Sequence, residues 1–201
     1  MEKNIAGLVL LFTVLGFLTA DPAKVSNSSP DQSAAAGSNS SISSKVYNIG
    51  DKGPAGGWIF FDKGNYSNGW RYLEAAPSVD SVQLPWGGPE RVSEAVAMTP
   101  GSGKQNTAAM LAKYPDSEYA ANFCTQLTQG DYTDWFLPSK EALMLMYKNL
   151  YRQGRGDFTN GLYWSSSQDI ADRAWMQSFE YGYQYNYTKS HPLLVHPVRA
   201  F

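Results

Sequence analysis

The sequence predicts an α+β domain carried behind a targeting segment and a linker. Three observations point there. Short apolar runs of strand character sit near both ends of the region after residue 45. Between them, apolar residues recur at helical spacing, most clearly after Leu137-Pro138-Ser139. Strands at the two ends with helices in the middle also do not make the alternating pattern of a parallel βαβ sheet. Residues 46–201 are enough chain to bury a single core.

The elements follow in order. Lys3 and the amino terminus precede Ile5–Ala20, an uncharged, mostly apolar run shorter than the ~20 residues of a membrane-spanning helix. Residues 1–20 therefore read as a secretory signal peptide, with cleavage after Ala20 and an uncleaved anchor as the alternative. Either way the rest is expected outside the cytoplasmic membrane: at the cell surface, in the periplasm or secreted. The anchor would be the only membrane contact. Residues 21–45 are rich in Ser and Ala and carry almost nothing to bury, so they read as a flexible, disordered linker.

Domain 46–201 begins with Trp58–Phe61, an apolar strand entered through the glycine-rich Gly53–Gly57. A loop over Lys63–Gly69 returns the chain into Trp70–Glu74, giving a hairpin. Gly56, Gly57, Gly69 and Pro138 are assigned to backbone geometry. Ala75–Ser102, with four prolines, reads as irregular surface. Asn106–Lys113 and Ser117–Leu127 read as helices. A third helix starts at Ser139 as N-cap, with Glu141 in its first turn and Ala142, Leu143, Met146 and Leu150 facing the core. Leu162–Ser166, Arg173–Phe179, Tyr183–Tyr187 and Leu193–Phe201 then read as strands.

Composition narrows the chemistry. The formal charge is -2, a balance that argues against a dedicated nucleic-acid binder, which needs a basic face to neutralise phosphates. Six Trp, thirteen Tyr and nine Phe, nearly all after residue 45, exclude a disordered chain there. One cysteine, Cys124, excludes an intrachain disulfide and a thiolate zinc cluster. Gly101-Ser102-Gly103-Lys104 lacks the Gly and Ser/Thr that a phosphate loop needs at 98 and 105, where Met98 and Gln105 stand. Ser165–Ser167 with His191 or His196 lacks a nucleophile elbow, and cross-strand hydroxyls are the plainer reading. Asp169 with Asp172, or Asp131 with Asp134, offers oxygens to calcium without an EF-hand loop; no metal or other cofactor is expected, with calcium as a minor alternative.

Two patterns remain. Tyr181, Tyr183, Tyr185 and Tyr187 alternate with small or polar residues, so one face of a strand would carry four tyrosines, either as a recognition surface or as core packing. Lys140, Lys148 and Arg152, extended by Arg155, form a basic stripe along the third helix, either a polyanion site or a wet helix face. Trp164 and Trp175 are further ligand-contact candidates, with core anchoring as the alternative.

Several blocks resemble a known family in order: Ile49–Gly57, Gly69–Pro77, Asp134–Glu141, Tyr163–Ser167, Ala174-Trp175 and Val198–Phe201. The chain is similar, over about residues 47–201, to the Lcl C-terminal domain family, a bacterial domain named for a collagen-like surface adhesin. The resemblance implies a C-type-lectin-like fold with paired terminal strands, an antiparallel sheet and two to three helices. It also implies adhesion to carbohydrate at a bacterial cell surface. No collagen repeat is present, so no collagen stalk is implied. The paired cysteines of the fold's formylglycine-generating members are not here, nor is a Glu-Pro-Asn or Gln-Pro-Asp calcium-lectin tripeptide.

The expectation is an exported, surface-associated recognition domain, not an enzyme, binding an extracellular glycan or protein. The alternatives are an envelope protein acting by self-association as a homo-oligomer, and an enzyme of unknown type.

Overall fold

The computed structural model describes residues 45–79 and 81–201. The signal peptide and all but the last residue of the linker lie outside the described residues. The described chain is α+β, with three helices and two sheets. Among the described residues no helix is long and apolar enough to cross a membrane.

Strands β1 (Trp58–Ser67) and β2 (Trp70–Ala75) form the opening hairpin. It is longer than expected, because Lys63–Ser67 continues the strand and only Asn68 and Gly69 turn the chain. Both turn residues have positive φ, 50° and 80°, and this mirror-image turn matches the twist of paired strands. Asn tolerates that conformation and Gly adopts it without strain.

The middle of the chain is irregular apart from β3 (Gln83–Leu84), α1 (Gly103–Lys113) and α2 (Ala120–Gln126). The second helix begins three residues later than the sequence pattern suggests. Helix α3 (Lys140–Asn149) starts as expected: the Ser139 hydroxyl accepts from the Ala142 amide at 3.4 Å and donates to the Thr99 carbonyl at 2.8 Å. Ala142, Leu143, Met146 and Leu150 are buried. A single 3-10 turn, Tyr151–Gln153, follows and ends at Gly154.

Strands β4 (Leu162–Ile170), β5 (Arg173–Ser178) and β6 (Gln184–Thr188) make an antiparallel meander. The expected last strand is two. Leu193–Leu194 (β7) pairs parallel to β4, whereas Val198–Ala200 (β8) crosses to β2. Pro197 stands at the break, where it cannot donate to a ladder. The sheets are thus β1-β2-β8 and β3-β7-β4-β5-β6, and the C-terminal strand closes onto the N-terminal hairpin through its second strand.

Two apolar clusters flank β4, as the period of two requires. Trp164 faces Trp86, Met110, Cys124, Leu137 and Met176, while its neighbour Tyr163 faces Phe60, Leu143, Met146 and Phe179. The second cluster joins α3 to both sheets.

Candidate functional site

The meander β4-β5-β6 and the start of α3 bring Lys140, Trp175 and strand β6 together. Lys140 opens α3, and its amide donates to Ser167 Oγ of β4 at 3.0 Å. Gln184 of β6 reaches across to donate to the Lys140 carbonyl at 2.8 Å. The helix start is thereby fixed against the sheet, and the Lys140 ammonium lies over the Trp175 ring, 3.3 Å from its centroid. Trp175 is half-buried, and its indole Nε1 is enclosed without a partner. Beside it Asn186 donates to Asp169 at 2.6 Å and accepts from Arg173 at 3.3 Å, so an acid, an amide and a base are already mutually satisfied.

The four tyrosines do not share one strand face. Strand β6 begins at Gln184, and a turn through Gly182, at φ 81°, precedes it, so Tyr181 and Tyr183 stand on that turn. Their rings are parallel within 8°, with centroids 6.2 Å apart. Tyr181, Tyr183 and Tyr185 are 70%, 50% and 55% exposed. Tyr187 differs: it is half-buried against the first apolar cluster and meets His191 edge-on at 5.0 Å. Strand β6 is the edge of its sheet, with an open ladder beside these rings.

Trp164 is fully buried and donates its indole N–H to the Leu84 carbonyl at 3.0 Å. A side chain with no exposed surface offers nothing to a ligand, so Trp164 is corrected from contact candidate to core anchor. The basic stripe is broken. Helix α3 ends before Arg152, and Lys140 lies about 12 Å along the axis from Lys148, held over Trp175. Lys148, Arg152 and Arg155 are exposed at the other end, with Arg155 reaching the Ile49 carbonyl at 3.5 Å.

The serines are fully buried and engaged by the fold. Ser165 Oγ donates to the Trp175 carbonyl, and Ser167 Oγ donates to the Ala97 carbonyl, each at 2.7 Å. His196 is buried with Nε2 at 3.1 Å from the Ala76 carbonyl, and burial lowers its pKa to about 4. Burial also pushes the Cys124 thiol well up, away from a reactive thiolate. Asp134 is committed to Arg199. Among the described residues no group of three or more His, Cys, Asp or Glu converges to hold a metal ion.

Sequence reasoning missed a cleft elsewhere on the domain. A cleft of about 470 Å³ opens where Arg71 and Tyr72 of β2 and Arg199 of β8 meet Tyr47, Tyr132 and Phe201. These residues are scattered from 47 to 201 and come together only when β8 pairs with β2. The available signal was the alternation of aromatic and basic residues in Trp70-Arg71-Tyr72 and Arg199-Ala200-Phe201.

The fold and these surfaces define an α+β domain with exposed aromatics at a sheet edge and an aromatic-lined cleft. No family model matches the chain, and no curated protein matches it.

Proposed function

We propose that this chain is an exported, surface-associated recognition domain of C-type-lectin-like fold, related to the Lcl C-terminal domains, that binds an extracellular glycan or protein without catalysing a reaction. The observation that carries this reading is the group of three exposed tyrosines, Tyr181, Tyr183 and Tyr185, at the open edge of β6. Tyrosine offers a broad, rigid contact area and a hydroxyl while losing little rotamer freedom on binding. Exposed large apolar side chains gathered in one place mark interaction sites more often than scattered ones do. The closure of β8 onto β2, together with the helix that follows Leu137-Pro138-Ser139, supports the fold relationship.

The test is a glycan array probed with the full chain, including sulfated polysaccharides, with and without calcium. The aromatic edge predicts binding that tolerates salt and falls at least tenfold when Tyr181, Tyr183 and Tyr185 are all changed to Ser. Salt-sensitive binding to sulfated glycans, abolished by Lys148→Glu with Arg152→Glu, would instead place the site on the basic end of α3.

A further inference from the structure

We propose that strand β6 is a pairing edge for a second copy of this chain, with two copies adding their β6 strands antiparallel about a two-fold axis at Asn186. The inference rests on the reading of this edge as a recognition surface and names one of its partners. The other sheet edges are closed or blunted. Val198 of β8 exchanges backbone hydrogen bonds with Phe136 at 2.8 and 2.9 Å. Ile59 of β1 bonds to the backbone of Gly50 and Asp51 at 2.8 and 2.9 Å, and the rest of β1 is bulged and carries Asp62 and Lys63. Strand β3 is two residues long. Strand β6 has none of these devices: Gln184-Tyr185-Asn186-Tyr187-Thr188 holds no charge and no proline, and its ladder with β5 runs without a register shift. An edge this regular is a template for another strand.

The hydrogen-bond phase fixes what the edge presents. The Ser178 N–H donates to the Tyr183 carbonyl and the Lys189 N–H to the Asp172 carbonyl, each at 2.9 Å. Along the register between them, Met176 with Tyr185 and Ala174 with Tyr187 are then the hydrogen-bonded pairs. The tyrosines thus bond inward to β5, and the N–H and C=O groups of Gln184, Asn186 and Thr188 point away from it. Among the described residues the one backbone bond that reaches these groups runs from the His191 N–H to the Thr188 carbonyl, at 3.1 Å.

A second copy fits this edge better than a foreign segment. With the two-fold at Asn186, Gln184 faces Thr188 of the copy and Asn186 faces itself, so all three outward residues donate and accept. Tyr185 then stands opposite Tyr187 of the copy, in the non-hydrogen-bonded sites where side chains come closest. An uncharged strand meets its own copy with no like charges opposite one another. Both strands are already held by β5, so pairing orders no new backbone, whereas a flexible peptide would pay that ordering on binding. The product joins two five-stranded sheets and brings two sets of exposed tyrosines side by side.

The experiment is sedimentation equilibrium of the full chain without any glycan, so a blank array leaves this inference standing and a monomeric chain leaves the array result standing. The expected result is a monomer–dimer equilibrium with a dissociation constant of roughly 10–500 µM, weak because a one-strand interface is narrow. Thr188→Pro removes an outward N–H that β5 does not use, and should weaken the dimer at least tenfold with an unchanged circular-dichroism spectrum. Tyr66→Ala, an exposed ring on another strand, should leave the dimer as it is. A chain with Gln184→Lys and Thr188→Lys, and another with Gln184→Glu and Thr188→Glu, should each be monomeric alone and pair when mixed, because residue 184 faces residue 188 of the copy. A monomer at every concentration up to ~1 mM would overturn the proposal and leave the edge to a strand of another protein. Association that survives Thr188→Pro, or charged chains that stay apart when mixed, would overturn it as well.

Discussion

His196 and Lys189 are both buried, and each gives a measurable consequence. His196 is enclosed between Phe158, 4.6 Å between ring centroids, and the Ala76 carbonyl, and it stays neutral in the folded protein. Its pKa is about 4 when folded and near 6.5 when unfolded, so the unfolded chain binds the extra proton between those values. Stability from this group is present above pH ~6.5 and is lost as pH falls towards ~4, by roughly 3 kcal/mol in all. Denaturant unfolding across pH 7 to 4 checks this; His196→Gln, which retains a donor for Ala76, should flatten the slope. Lys189, also buried, donates to the Glu90 and Ala171 carbonyls at 2.9 and 2.6 Å and to Gln168 Oε1 at 2.6 Å, and lies 4.4 Å from the Trp86 centroid. Burial lowers its pKa to about 8. It ties the irregular segment around residue 90 to the β4–β5 turn. Lys189→Met removes three hydrogen bonds, one of them to the buried Gln168 side chain, and should cost about 1–3 kcal/mol in the same measurement. Neither role was legible in the sequence, where Lys189 falls between two expected strands and His196 inside the last one. Burial of a polar side chain depends on what distant segments cover it.

The elements divide by whether their cause is local. Helix α3 was legible because its cap, Ser139, and its apolar face, Ala142 to Leu150, lie within one stretch. The opening hairpin was legible as a pairing but not in its length: Lys63–Gly69 has the polar composition of a loop, yet its last two residues, Asn-Gly, are the turn. Gly69→Ala forces a side chain into φ 80° and should destabilise by about 1 kcal/mol or more, read as a lowered denaturant midpoint with unchanged slope. The tyrosine alternation left surface and core both open, and three of its four members prove exposed. The four do not share one strand face because Gly182, at φ 81°, turns the chain before β6 begins at Gln184. The division of Leu193–Phe201 between two sheets has a local cause, Pro197, but its destination is set by β2.

At the scale of the whole molecule, pairing of β8 with β2 creates the cleft, and packing of α3 against the meander presents Lys140 and Trp175 beside the tyrosine edge. Trp164 and Trp175 illustrate why residue type alone could not separate core from surface. They lie on neighbouring strands, β4 and β5, yet one faces the apolar cluster under α1 and the other lies beneath Lys140. The central claim is that the edge formed by Tyr181, Tyr183 and Tyr185 is the main recognition surface. The most direct measurement is the affinity of the full chain for its best array ligand, compared with the triple Tyr→Ser variant at low and high salt. The account predicts at least a tenfold loss in the variant and little change with salt. Affinity that is untouched by the triple change, and that collapses with salt or with Lys148→Glu and Arg152→Glu, would contradict it.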